Sequence, residues 1–373
     1  MSEDTFNRLQ KHLDDLPGGY PATESGVELR ILRRLFTEEE AELAMKLTPM
    51  LEPVRVIAKR AGLKNDDASQ RLYDMSKKGL IYRVMRDGEN QYMALQYVVG
   101  IWEFHVNDLD IDLINDMNEY LPDLIDHEVW EKAPQLRTIP INQDIAVEHE
   151  IMPYEQADEI IRSRKRIAVA PCICRKEHEM VGQGCDHPME ACLVFNRGAD
   201  YYIENGLGRE IDVEEALGIL KQADESGLVL QPSNSRNTTN ICCCCGCCCQ
   251  VLLSFKRHPE PASLVLSPFI VAHEPETCIG CEDCIDRCQL DAITPAGDVV
   301  EVELKKCIGC GLCVTTCPSG SLTLERKPES EQREVPTTQV RSYMQLAKAR
   351  GKLKTPDVAM LALRSAKDRL TSR

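Results

Sequence analysis

Residues 241–249 read ICCCCGCCC, so that Cys242, Cys243, Cys244, Cys245, Cys247, Cys248 and Cys249 stand almost side by side. Thiols at that density can pair as disulfides, hold zinc, or ligate iron–sulfur clusters. Four more cysteines lie upstream, Cys172, Cys174, Cys185 and Cys192. Eight follow in two runs, CIGCEDCIDRC from Cys278 and CIGCGLCVTTC from Cys307. Adjacent cysteines suit disulfides badly, because neighbouring side chains point apart and a disulfide needs its Cβ atoms about 3.8 Å from each other. The odd total of 19 also argues against a closed disulfide framework.

Compartment bears on the choice. The opening MSEDTFNRLQKHLDDLP is polar and acidic, without the apolar segment of a secretory leader. The longest apolar stretch, around ASLVLSPFIVA, is too short to cross a bilayer. We therefore expect a cytoplasmic, reduced chain without membrane insertion, where clustered cysteines are metal ligands. The net charge of −16 disfavours DNA as a partner. That charge is uneven: residues 340–373 hold nine Lys/Arg and two Asp/Glu, leaving 35 basic against 58 acidic residues before them. Such a tail could dock on an acidic partner or fold back on its own acidic surface.

The two C-terminal runs are copies offset by 29 residues, each C-x2-C-x2-C-x3-C, and the second ends in Pro318. Three closely spaced thiolates can wrap one cubane while the fourth reaches elsewhere. This pattern resembles the bacterial two-[4Fe–4S] ferredoxins over about residues 275–325. The resemblance implies that Cys278, Cys281, Cys284 and Cys317 hold one cluster and Cys307, Cys310, Cys313 and Cys288 the other. It further implies that Gly280 and Gly309 leave room for main chain beside sulfide. Gln289 stands where the pattern has proline.

In a chain that holds two clusters, the run at 242–249 reads as a cluster site rather than a zinc site. Its neighbouring side chains diverge, so it could serve two clusters from two faces, with Gly246 permitting the turn between halves. We expect Cys172, Cys174, Cys185 and Cys192 to complete the shells with Cys242, Cys244, Cys245, Cys247, Cys248 and Cys249, for up to two further [4Fe–4S] clusters. The segments CICR, CDHPMEACL and CCGCCC resemble a broader group of multi-cluster ferredoxin-like proteins of anaerobic bacteria. In that group a polar residue is expected where Cys243 stands, so Cys243 is left out as a ligand. Arg175 is a candidate donor to cluster sulfide, with a surface arginine as the alternative, and His187 a hydrogen-bonding neighbour rather than a ligand.

The elements that must position these residues are legible in part. Residues 1–27 read as an arm broken by LPGGYP. Over 28–107, Thr37 with Glu40 makes a capping-box start, Val54, Ile57, Ala58 and Ala61 recur at helical spacing up to Gly62, and a helix capped by Asn65 and Asp66 runs to Gly79. Asp87-Gly88 between alternating runs signals a hairpin. This order resembles winged helix-turn-helix domains of small bacterial regulators. Its second helix sets Asp66, Asp67 and Asp74 against Arg71, Lys77 and Lys78, a neutral balance that favours protein over a DNA groove. Residues 108–165 read as a helical connector with breaks at Pro122, Pro134 and Pro140. A short strand, RIAVA, opens a cysteine-rich cluster-binding domain at 166–265. The ferredoxin domain is placed at 266–327 and a basic helical tail at 328–373.

The expected fold class is α+β: a winged-helix-like N-terminal domain, a cysteine-rich α/β middle domain, and a two-cluster ferredoxin domain with a helical tail. The expected function is an electron-transfer protein or subunit relaying low-potential electrons through several [4Fe–4S] clusters. A partner oxidoreductase or flavoprotein would carry the chemistry at either end, and no catalytic residue is assigned. A cluster-based redox-sensing transcription regulator and a reductive activase of a partner cofactor are the alternatives.

Overall fold

The computed structural model describes residues 4–141, 152–352 and 365–368. The chain divides into two compact units, one of Met1–Leu124 with Tyr343–Arg373 and one of Ile125–Ser342. Both mix helix and strand.

In the first unit several local signals act as the sequence indicates. Thr37 Oγ1 accepts from the Glu40 N–H (3.2 Å) while Glu40 Oε2 accepts from the Thr37 N–H (2.8 Å), closing the capping box of helix Glu38–Ala44. Helix Val54–Ala61 ends on Gly62 in the left-handed conformation. Helix Asn65–Lys77 follows, then strands Tyr82–Arg86 and Glu89–Met93, paired around Asp87 and Gly88, whose φ values are 52° and 79°. Two positive φ angles match the right-handed twist of a tight hairpin. Glu52–Pro53 adds a third strand beside Glu89–Met93.

Other details differ. Helix Asn65–Lys77 takes Lys64 as its N-cap, with no side-chain capping bond, so Asn65 and Asp66 do not cap it. Asp66 and Asp67 fall in its first turn, where they favour the helix dipole instead. Residues 1–27, expected as an arm, contain helix Thr5–Asp14, whose Phe6, Leu9 and Leu13 form one buried face at helical spacing. Pro122 lies inside helix Ile111–Leu124 rather than breaking it, and the helix stops two residues later. The basic tail turns back on the acidic surface of its own unit. Arg350 pairs with Asp14 (2.5 Å), Lys352 with Asp14 (2.6 Å) and Asp15 (3.0 Å), and Arg60 bridges Glu52 (2.9 Å) and Asp368 (3.0 Å). The rest of the expected tail, 353–364 and 369–373, lies outside the described residues.

The second unit holds a five-stranded antiparallel sheet. Its spatial order is Arg209–Ile211, Ile167–Pro171, Glu190–Phe195, Asn240–Cys244, Val229–Pro232. Ile167, Val169, Leu193, Phe195, Leu230 and Ile241 build its core together with Cys243, Cys245 and Cys248. Part of the connector expected to be helical is extended: with Pro134 and Pro140 denying it a helix, the Ile139 N–H bonds Leu230 O (3.3 Å) on the edge strand. Residues 142–151 of the connector lie outside the described residues.

The two C-terminal cysteine runs fold as backbone copies. Each passes a left-handed glycine, Gly280 (φ 65°) or Gly309 (φ 67°), and a left-handed N-cap, Glu282 (φ 65°) or Gly311 (φ 78°). A short helix follows, Asp283–Arg287 or Leu312–Thr315, carrying the third cysteine of its run. Strands Phe269–His273 and Leu322–Arg326 pair beneath them, as do Ile293–Ala296 and Val299–Val302.

Candidate metal centres

The eight cysteines of the repeat gather in two sets that cross the runs. Cys278, Cys281, Cys284 and Cys317 line one cavity with Ile279, Val300 and Ser321. Burial pushes the Cys284 thiol up to about 11, with the charges of Cys281, Cys317 and Cys278 adding to it. Cys317 lies at about 7: burial works against its thiolate, but the hydroxyls of Ser321 (3.4 Å) and Ser319 (3.7 Å) and nearby main-chain N–H groups outweigh it. In the other set burial raises Cys310 to about 12 and holds Cys313 well above the ordinary thiol range, each facing the charges of Cys307 and Cys288. Four thiols converging from two loops, with burial disfavouring the free thiolate at Cys284, Cys310 and Cys313, are a donor set that fits a [4Fe–4S] cubane.

Residues 270–332 match the family model of a 4Fe–4S dicluster domain.

The match covers the repeat and the strands that frame it. No curated protein and no solved structure matches the chain. Gly280 and Gly309, expected to make room beside sulfide, face protein main chain: a Cβ would stand 2.5 Å from Asp298 O at the first and 2.2 Å from Phe269 O at the second. With positive φ at both as well, the fold itself requires glycine there.

The remaining eleven cysteines fall into groups set by strand and turn geometry. Successive side chains of a strand face opposite ways. In Asn240–Cys244, Cys242 and Cys244 therefore share a face, and Cys243 points away from them with Ile241. Cys242 stands opposite Cys192 across the sheet. Hydrogen bonds from the Cys192 and Cys244 thiols and from Asn240 Nδ2 (3.6 Å) bring the half-buried Cys242 thiol well below its ordinary range. Cys172 is the N-cap of helix Ile173–Met180, with Cys174 in its first turn, and Cys249 is the N-cap of helix Gln250–Lys256. Cys249 is likewise pulled down, by the thiols of Cys174 and Cys244 and by the Leu252 and Val251 N–H groups. Cys172, Cys174, Cys192, Cys242, Cys244 and Cys249 thus form one connected set. Cys243 stays apart, its thiol pushed up to about 12 by burial.

A second set assembles from two loops. Cys185 and His187 lie between helix Ile173–Met180 and strand Glu190–Phe195; Cys245, Cys247 and Cys248 lie in the turn closed by Cys249 N–H to Cys245 O (3.1 Å). The ligand atoms of Cys185, His187, Cys245 and Cys247 all lie within 4.8 Å of one another. Cys248 Sγ is 3.5 Å from Cys185 Sγ. Burial, then the charge of Arg175, lowers the pKa of the His187 imidazole. The structure brings His187 in with the thiols; the C-x-H spacing from Cys185 was the available signal.

Three neighbours complete the site. Arg175 is 1 % exposed, which removes the surface alternative. Its guanidinium donates to Pro188 O (2.6 Å) and Cys243 O (2.7 Å), and among the described residues it makes no ion pair with a carboxylate. Burial opposes its charge, but Cys172, Cys245 and Cys244 overcome that and raise its pKa. Glu177, wholly buried on the same helix, accepts from Gln250 Nε2 (2.7 Å), and burial lifts it to about 8. Gln289 explains Gly246. A turn does form at 246–248, but Gly246 lacks a positive φ. A Cβ there would lie 2.3 Å from Gln289 O, and the Gly246 N–H donates to Gln289 Oε1 (2.6 Å). Close approach of the chain that follows Cys288, rather than the turn, requires the glycine.

Proposed function

We propose that this protein is an iron–sulfur electron-transfer protein whose cysteine run and dicluster domain act as one relay. The observation that carries the reading is the junction at Gly246 and Gln289, which ties the run to the residue after Cys288. Leu290, Ile308 and Leu312 of the dicluster domain are buried in the same core as Cys243, Cys245, Cys248 and Cys249. The proposed ligands are Cys278, Cys281, Cys284 and Cys317 for one cluster and Cys288, Cys307, Cys310 and Cys313 for a second. Four of the six thiols Cys172, Cys174, Cys192, Cys242, Cys244 and Cys249 would hold a third. Bound there, such clusters supply one-electron transfer.

The chain's own residues exclude water and balance charge. Cys243, Cys244, Cys245, Cys248 and Cys249 are buried, and Arg175 brings beside them a cation that, among the described residues, is not paired with a carboxylate. A buried guanidinium requires a compensating anion, which ligated thiolates provide. We propose a cytoplasmic protein of anaerobic metabolism whose redox partner is a flavoprotein or another oxidoreductase. Residues 28–107 follow the helix–helix–hairpin order of a winged helix, and we propose that they dock protein. Arg71 pairs with Glu39 (3.2 Å) and Lys78 with Glu40 (2.8 Å), which takes cations away from any phosphate backbone.

Low-temperature EPR of the reduced protein, purified anaerobically, tests this. Cys174→Ser and Cys249→Ser should each remove one cluster signal and about four irons per chain, the content of one cubane. Cys243→Ala should keep the wild-type spectrum. Full iron content in all three variants would rule out a cluster in the six-thiol pocket.

A further inference from the structure

We propose that Cys185, His187, Cys245 and Cys247 form a mononuclear tetrahedral site for a thiolate-binding divalent cation, zinc above all, separate from the iron–sulfur clusters. Four ligand atoms on one ion lie close together: with metal–sulfur bonds of about 2.3 Å and metal–nitrogen bonds of about 2.0 Å, tetrahedral geometry spaces the donors about 3.5–3.8 Å apart. A cubane does the opposite. Its four thiolates each cap a different iron, so the width of the cluster keeps them apart.

The molecule shows both arrangements. The thiols of Cys278, Cys281, Cys284 and Cys317 stand around a cavity. Among the described residues, the only group of three or more His, Cys, Asp or Glu whose ligand atoms all lie within 4.8 Å of one another is Cys185, His187, Cys245 and Cys247. Thiols of the dicluster sets and of the six-thiol pocket meet in pairs at most, with no three of them mutually inside that limit.

Donor chemistry agrees. Three thiolates and one imidazole are a common closed set for structural zinc. Three thiolates on a divalent cation leave one negative charge, and the buried Arg175, whose charge is favoured by Cys172, Cys245 and Cys244, brings one positive charge to it. Cys247 is exposed while Cys245 is buried, so the site has a face through which an ion can enter. Its effect would be to staple the loop after Met180 to the turn at 245–248, holding Cys244 and Cys249 on either side of that turn in place. The proposal stands independently of the electron-transfer reading.

Metal analysis of the full-length protein, purified anaerobically, tests it together with X-ray absorption at the zinc edge. The expected result is one zinc per chain in a shell of three sulfurs and one nitrogen. His187→Ala should weaken zinc binding in chelator competition by at least about tenfold, a floor set by what even outer-shell changes cost. His187→Cys should retain zinc, now with four sulfurs. Both variants should keep the wild-type iron, sulfide and EPR spectrum of the clusters. Wild-type protein without zinc overturns the proposal, and so does a loss of about four irons in His187→Ala or Cys185→Ser, which would place a cubane there. The wild-type measurement decides even if a variant fails to fold.

Discussion

The junction between cysteine run and dicluster domain can be tested with one methyl group. In Gly246→Ala the new Cβ would lie 2.3 Å from the main-chain oxygen of Gln289 and 3.1 Å from its carbonyl carbon. Neither can swing aside as a flexible side chain would, so main chain has to shift. Overpacking of this kind costs about 1–3 kcal/mol, and the shift strains the 2.6 Å bond from Gly246 N–H to Gln289 Oε1, worth about 0.5–1.5 kcal/mol. The expected loss is roughly 2–4 kcal/mol, or on the order of 5–15 °C in Tm for a unit of this size. Gly218→Ala is the control. Gly218 sits in helix Val213–Glu225 with nothing within 4 Å of the place an alanine methyl would take, and alanine there should stabilise by about 1 kcal/mol. Anaerobic thermal scans of both variants, with iron content measured alongside, give the comparison. If Gly246→Ala melts with the wild type, the close approach of Gln289 does not constrain the run and the junction is not structural.

Two further outcomes follow from buried charge. Arg175→Met should leave the carbonyls of Pro188 and Cys243 without donors, at about 1–3 kcal/mol each, and strip the neighbouring thiols of their cation; iron and zinc content should both fall, and a fully loaded variant of wild-type Tm would refute the role. His12 and His105, both in the first unit, have pKa values held below the ordinary 6.5 by burial, opposed at His12 by Asp15 and at His105 by the Ile101 carbonyl. Their folded forms resist protonation, so this stability is complete above about 6.5 and declines as pH falls through 6.5 toward the lowered values. Urea unfolding followed by Trp102 in a Trp130→Phe background should show the first unit weakening from pH 7.5 to 5.5; a gain on acidification would contradict it.

What could be read from the sequence was local. The capping box at Thr37, the left-handed Gly62 and the Asp87-Gly88 hairpin depend on residues within a few positions of each other. The repeat at Cys278 and Cys307 is equally self-contained, and its match to a dicluster model spans those same residues. Strand alternation also separates Cys243 from Cys242 and Cys244 once a strand is assumed. The grouping of the other thiols was not legible, because it depends on register across the sheet: Cys192 meets Cys242 only through strand pairing. Nor was burial of Arg175 legible, since its partners are main-chain carbonyls 13 and 68 residues away. Gln289 looked like a departure from a pattern; its meaning lies in Gly246, 43 residues earlier.

The most direct test of the account is the iron and acid-labile sulfide content of the wild-type protein purified without oxygen. Three cubanes predict about twelve irons and about twelve sulfides per chain, against about eight of each for the dicluster domain alone. About eight would confine the clusters to residues 270–332 and leave the six-thiol pocket without one. Zinc without sulfide would contradict the electron-transfer reading as a whole.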